Sequence, residues 1–327
     1  MQEECLIRPY EHRDGPSVVQ MWNEALAEEA AGREWYLEPH RLTEQKLEWI
    51  AQHPGYEAEG ALVCEREGAV VAYGRAVIRR APAYKGQDLQ ALPAYLEGFV
   101  VHSPWRRRGL GTRLLDELES HAAARGKRGM EMNCFWSPIV NAYLLPGSSG
   151  HSFLLRRGYE ARPPELQLRL TFEGPDFAEK AERSRERLRA QGLDVRYYED
   201  ADRESFAELM QEHFVEWWCD LYAPNLERPE PRPVLIAVDG RRVVGFVGFV
   251  HVRENGSAGF TPGVHPEYRR RGIGTVLLDL WASEVKRKGA VQSIIATNVE
   301  NPARHIYFGM GYEKLGEFSS RLAKKLG

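Results

Sequence analysis

Residues 268–275 read Tyr268-Arg269-Arg270-Arg271-Gly272-Ile273-Gly274-Thr275, and residues 105–112 read Trp105-Arg106-Arg107-Arg108-Gly109-Leu110-Gly111-Thr112. The chain therefore says one thing twice. Each copy follows a Val-His-containing segment with a proline, Val101 to Pro104 and Val264 to Pro266. Each runs into an apolar helical pattern, Leu114, Leu115 and Leu118 in one, Val276, Leu277, Leu278, Leu280 and Trp281 in the other. Arginines followed by Gly-x-Gly at the mouth of a helix make an anion site. Glycine lets the backbone approach a ligand without a Cβ in the way, and the first-turn N–H groups and the helix dipole favour negative charge. Two such turns predict two copies of one phosphate-binding unit. A dinucleotide fold is excluded by the missing Gly-x-Gly-x-x-Gly, and a P-loop by the missing Gly-Lys-Ser/Thr.

Other pieces recur in the same order. Ile7-Arg8-Pro9-Tyr10-Glu11-His12-Arg13-Asp14 matches Val195-Arg196-Tyr197-Tyr198-Glu199-Asp200-Ala201-Asp202. Both read as a short strand, then an Asp that caps the following helix. Glu67-Gly68 and Asp239-Gly240 each separate two β-branched apolar runs, which is a hairpin signal. The order in each half is strand, one or two helices, three strands, helix, strand, helix, strand. The first copy is longer, with its surplus around Ala30 to Tyr56 and Pro82 to Ala94, which read as loops.

The length of 327 residues suits two cores better than one. A hydrophobic share of 43% with 28% charged residues describes a globular chain. The net charge of −3 gives no global argument for nucleic acid, and the arginine runs are local. No stretch approaches a membrane span. Cys5, Cys64, Cys134 and Cys219 are scattered, without C-x-x-C spacing, so they signal neither metal nor disulfide and fit a reducing compartment. A cytoplasmic protein is expected, acting without nucleic acid, membrane or metal.

The pattern R-R-R-G-[LI]-G-T between a strand and a helix resembles the acyl-CoA pyrophosphate loop of the GNAT superfamily of N-acetyltransferases. The resemblance covers both halves. It implies a mixed α/β fold with two tandem GNAT-like acyl-CoA N-acyltransferase domains, each a mixed, mostly antiparallel sheet flanked by helices. The boundaries read 1–174 for the first, 175–194 for a linker helix and 195–327 for the second. It implies acetyl-CoA as co-substrate, held by Val264 and the run Arg269, Arg270, Arg271, Gly272, Ile273, Gly274 and Thr275. In the first half the matching set is Val101 with Arg106, Arg107, Arg108, Gly109, Leu110, Gly111 and Thr112.

The segment Asn298 to Tyr312 resembles the family pattern N-x-x-N followed by a helical Tyr and Gly-[FY]. Asn301 would then contact the CoA arm. Tyr307 would protonate the leaving thiolate, since a phenol titrating near ~10 is still protonated where a thiol, near ~8.5, begins to ionise. Leu154 and Ser148 stand at these two positions in the first half, with His151 and Tyr143 as nearby substitutes. The first half is therefore expected to bind without turning over. The general base is open: Glu97 lies on the relevant strand of the first half, and Glu254, His251 and His265 are candidates in the second. By resemblance the stretch after the first helix of the second unit lines the acceptor groove. There Glu216 and Asp220 would attract a cationic amine and Trp217, with Trp218 and Tyr222, would stack on it. The expected function is N-acetylation of a primary amine on a small molecule or protein. The alternative is a non-catalytic acyl-CoA-binding sensor or scaffold.

Overall fold

The computed structural model describes residues 5–52, 59–80, 87–133, 143–174 and 177–327, without the side chains of 37–39, 50–52, 133, 216 and 220. The first half runs β1 (Leu6–Pro9), α1 (Gly15–Ala30), α2 (Glu34–His40), α3 (Glu44–Gln52), β2 (Ala61–Arg66), β3 (Ala69–Val77) and β4 (Ala94–Val101). It continues through α4 (Leu110–Ala124), β5 (Gly129–Asn133), α5 (Ser149–Arg156), β6 (Glu160–Ala161), β7 (Glu165–Thr171) and α6 (Phe177–Arg189). The second half runs β8 (Leu193–Tyr197), α7 (Arg203–His213), α8 (Val215–Trp217), α9 (Ala223–Leu226), β9 (Val234–Asp239), β10 (Arg242–Gly248), β11 (Ser257–Ala258) and β12 (Thr261–Val264). It closes with α10 (Ile273–Arg287), β13 (Gln292–Asn298), α11 (Arg304–Gly309), β14 (Glu313–Phe318) and β15 (Arg321–Lys325).

The chain forms two compact units, and they do not follow chain order. One comprises everything up to Glu165 together with Glu317–Gly327; the other is Leu166–Gly316. The first sheet is ordered β1-β2-β3-β4-β5-β15-β6, so the last strand of the chain completes it. In the second unit β7, from the first half, lies between β13 and β14. These two strands are exchanged. The expected cuts at 174 and 195 thus differ from the compact units. The stretch expected to be a linker helix is α6, whose Phe177 and Leu188 belong to the second core and whose Ala181 is also buried. Its Lys180 reaches the fully buried Asp279 of α10 at 3.0 Å.

The first sheet is mixed, with β4 and β5 parallel, and the second unit holds two four-stranded sheets: β12-β10-β9-β8, antiparallel throughout, and β11-β13-β7-β14, in which β11 and β13 are parallel. The helix after each glycine turn packs by a spaced apolar stripe. Leu110, Leu114, Leu115, Leu118 and Ala122 are buried on α4. Ile273, Val276, Leu277, Trp281, Ala282 and Val285 are buried on α10.

The repeat extends to single hydrogen bonds. Arg8 holds Asp14 with two nitrogens at 2.7 and 2.8 Å, and Arg196 holds Asp202 at 2.6 and 2.7 Å. Each Asp also accepts a backbone N–H, from Glu11 and from Glu199. These aspartates close the short turn before the helix rather than capping the helix itself, because the arginine and that turn take their oxygens.

Two further expectations are corrected. The surplus read as loop from Ala30 is largely helical, α2 and α3, with Tyr36, Leu42 and Leu47 buried. The rest of that stretch, residues 53–58, and 81–86 of the second surplus lie outside the described residues. Cys5 and Cys64 are paired as a disulfide, with Cα atoms 6.1 Å apart. The antiparallel pairing of β1 with β2 brings them together across 59 residues, which spacing in the sequence does not reveal. Cys219 is free.

Candidate active site

In the second unit β12 ends at Val264, and the His265 N–H still bonds Val244 O at 2.9 Å. Pro266 then opens a single 3-10 turn through Tyr268. Arg269 is extended, and its Nε donates back to Val264 O at 3.2 Å. Arg270 takes a left-handed φ of 64° and Gly272 one of 84°, placing Gly272 as the N-cap of α10. The first helical bond runs from Val276 N to Gly272 O, which leaves the N–H groups of Ile273, Gly274 and Thr275 without helical partners.

The first unit repeats this geometry. Arg106 Nε donates to Val101 O at 3.0 Å, Arg107 has φ 60° and Gly109 φ 80°, and the first helical bond is Arg113 N to Gly109 O. A left-handed non-glycine costs about 1–2 kcal/mol. Both turns store that cost at the middle arginine, as ligand clamps do.

The aromatic before each arginine run has a role that the motif alone does not reveal. The Arg271 guanidinium lies over the Tyr268 ring at 4.8 Å, and Arg108 lies over Trp105 at 4.7 Å. A second arginine covers each ring, Arg242 at 5.7 Å and Arg66 at 4.5 Å. Tyr268 is fixed in turn by its hydroxyl, which donates to Asp239 at 2.7 Å.

Beside each turn the sheet opens. β11 pairs with β13 through Ser257 and Ala258 only. After Phe260 the chain leaves β13, and β12 pairs with β10 alone, forming the edge of its sheet. In the first unit β4 pairs with β5 at Ala94 and Tyr95 and from Leu96 onward with β3 alone. An open strand edge in mid-sheet is a template for an extended polar chain.

Helix α11 flanks this opening. A Cβ on Gly274 would lie 3.8 Å from Ile306 Cδ1 and 3.9 Å from Val264 Cγ2, so turn, open strand and α11 meet there. Tyr307, the next residue, is buried, with its ring 5.6 Å from Phe260 at the point where the strand divides. Burial raises its phenol to about 12. Asn301 is exposed before α11, and its Oδ1 accepts the Ala303 N–H at 3.0 Å. The structure thus brings the second turn, Val264 and Ile306 of α11 together, with the buried Tyr307 next in the chain and Asn301 exposed ahead of the same helix.

The first unit differs as its sequence suggests. Leu154 is buried, and Ser148 caps α5 by accepting the His151 N–H. Phe153, the residue before Leu154, lies 3.6 Å from a Cβ on Gly111 and stacks on Phe99 at 5.6 Å. Ile306 and Pro262 stand at the corresponding positions of the second unit. Of the substitutes, His151 is buried, and Tyr143 packs against Tyr36, His40 and Phe318. Glu97 is buried beside Arg75 at 3.9 Å and lines a small cavity with Trp22, Leu42, Leu47, Tyr73 and Gly98.

The aromatic residues expected to line the acceptor groove differ in their exposure. Trp217 is 37% exposed and lies face to face with Phe214, 5.8 Å between centroids. Tyr222 is fully buried, donating to Thr261 O at 2.8 Å, and Trp218 packs on Phe206. Tyr222 is a core residue tying this helical lip to β12, so it is not available to stack on a ligand. The side chains of Glu216 and Asp220 lie outside the described residues. Of the base candidates, His251 and Glu254 line one shallow surface depression with Arg253 and Asn255. His265 packs against His213, 4.7 Å between ring centroids, with Glu212 close by. Nothing in the sequence signals that trio, because lone histidines far apart in the chain carry no pattern.

A split sheet with a glycine-rich turn at its opening, made twice, defines an acetyltransferase class, and the chain belongs to it: the acetyltransferase (GNAT) family model matches residues 22–135 and again 194–312. Mycothiol acetyltransferase of Thermobifida fusca (strain YX) is 29% identical over 251 residues, covering 65% of this chain and 70% of that protein. Among solved structures, the glucosamine N-acetyltransferase region of a fungal multidomain GH3 β-N-acetylglucosaminidase superposes with a TM-score of 0.75 at 15% identity, over 99% of this chain. This chain spans 38% of that protein. A tandem GNAT protein from the clavulanic acid biosynthesis pathway matches at TM-score 0.65 and 17% identity over 99% of both chains. Among the described residues no helix is long and apolar enough to cross a membrane.

Proposed function

We propose that the second unit transfers an acetyl group from acetyl-CoA to a primary amine, with Tyr307 serving the leaving thiolate. The carrying observation is the meeting of Gly274, Val264 and Ile306 within van der Waals reach, with Tyr307 next in chain at the strand division. In this reading the pyrophosphate sits on the N–H groups of Ile273, Gly274 and Thr275, and Arg269, Arg270 and Arg271 surround it with charge. The arm runs along the open edge of β12 past Asn301. The amine nitrogen attacks the thioester carbonyl carbon, the C–S bond breaks, and the electron pair leaves on sulfur.

The raised phenol favours a hydrogen-bonding role for Tyr307. Full proton transfer from a group at about 12 to a thiolate near ~8.5 is uphill by several kcal/mol. Tyr307 therefore stabilises the thiolate by donating a hydrogen bond. The proton that finally quenches sulfur comes from the new ammonium, relayed through that hydroxyl, so that no tyrosinate persists. Trp217 borders the acceptor side. The mycothiol acetyltransferase relative favours a small-molecule acceptor. The first unit keeps its turn but has Leu154 in place of the phenol, which supports acyl-CoA binding without turnover there. An amine library presented to the full chain with acetyl-CoA, following free thiol release, tests the reading. Acceptor-dependent release is expected, and release only at the rate of uncatalysed hydrolysis across primary amines would reject it.

A further inference from the structure

We infer that the second unit carries a transition-metal site built by Glu212, His213 and His265, with the donor set of a borderline divalent ion such as Zn²⁺. One carboxylate oxygen and two imidazole nitrogens lie within 4.8 Å of one another. Bonds of about 2.0–2.2 Å in tetrahedral geometry separate neighbouring ligand atoms by about 3.4 Å. Glu212 Oε1 and His213 Nε2 already stand 3.5 Å apart. Two imidazoles with a carboxylate is a ligand set that zinc accepts, with a fourth position left for water.

The state of the two rings supports an ion. His213 Nε2 is buried and, among the described residues, makes no hydrogen bond, with Glu212 Oε1 as the charged group beside it. His265 faces donors on both sides: Arg242 approaches Nε2 at 3.1 Å, and the Glu267 N–H approaches Nδ1 at 3.3 Å. A neutral imidazole has only one unprotonated nitrogen, so it accepts from one of these donors only, and an ion would take that donor's place. An ion entering here displaces Arg242 from His265, and the guanidinium retains its place over Tyr268. His265 opens the turn that leads to Arg269, and Glu212 and His213 end α7. The ion would tie the end of α7 to the entrance of the glycine turn.

The first unit is an internal control. Its His102 opens the corresponding turn and lies 3.4 Å from Glu24 on α1. Ala25 occupies the position that His213 has in the second unit, so the third ligand is missing there.

The test is calorimetric titration of Zn²⁺ into the full chain after removal of metal by chelation, at neutral pH. We expect one Zn²⁺ per chain. His213→Ala should weaken binding at least tenfold, and His265→Ala should abolish it. His102→Ala should change nothing, and Arg242→Met should tighten binding by removing the competing cation. Because His265 is buried, each variant is first checked for a native melting profile. The half-buried His213→Ala and Arg242→Met carry the test should His265→Ala fail to fold. Absence of stoichiometric binding, or binding of unchanged affinity in His213→Ala, would overturn the assignment.

Discussion

Replacing Leu322 with alanine should loosen the first unit, although the residue lies at the far end of the chain. Leu322 is fully buried in the first core, opposite Met132 on β5 and Ala161 on β6. Truncating a core leucine to alanine costs about 2–5 kcal/mol. Taking roughly 3 kcal/mol, the slowest-exchanging amides of that unit should exchange about 10²-fold faster. The mirror change is Leu168→Ala in β7, equally buried but in the second core. Hydrogen–deuterium exchange of the full chain, read on peptides covering Gly129–Asn133 and Gln292–Asn298, separates the two. Leu322→Ala should chiefly expose the first peptide and Leu168→Ala chiefly the second. The opposite pattern, each change acting on its own half in chain order, would refute the strand exchange.

Gly272→Val must bear a left-handed φ of 84°, and Gly274→Val must push its methyls beyond a Cβ already 3.8 Å from Ile306. Each should weaken acetyl-CoA binding to the full chain by at least tenfold in calorimetric titration, whereas Gly109→Val should leave turnover by the second unit intact. Hydrogen bonds from Arg196, joined by the Glu199 N–H, hold the Asp202 carboxyl below its usual range. A depressed folded value means its stabilisation is present above the unfolded value near ~4 and is lost as pH falls below it. Arg196→Met should therefore lower the melting temperature at pH 7 and shrink its fall in acid. Asp279 has the opposite sign: burial raises its carboxyl, against the pull of Lys180, so it costs stability as pH climbs above ~4. Asp279→Asn should raise the melting temperature at pH 7 and leave it unchanged near pH 3.

The glycine turns were legible because their chemistry is local. Backbone angles, helix start and the arginine run all lie within one octapeptide, and its repetition predicted the same turn twice. The Arg8–Asp14 and Arg196–Asp202 pairs were visible as a repeat, although not as paired ions, because sequence shows spacing and not reach. The exchange of β7 and β15 was invisible, because nothing in the sequence of either strand says which sheet it joins. The Cys5–Cys64 bridge and the Glu212–His213–His265 trio depend on strand and helix packing across long stretches of chain. Tyr222 read as a ligand-facing aromatic because its neighbours are aromatic. Its hydroxyl bond to Thr261 is a tertiary fact.

Tyr307 bears the central claim. Under saturating acetyl-CoA and an accepted amine, with chemistry rate-limiting, Tyr307→Phe should lower kcat by roughly 10²–10⁴-fold, the range for one positioned acid. Acetyl-CoA affinity should change little, because contacts to the arm remain in the ground state. An unchanged kcat in that variant would contradict the account and remove Tyr307 from the chemistry.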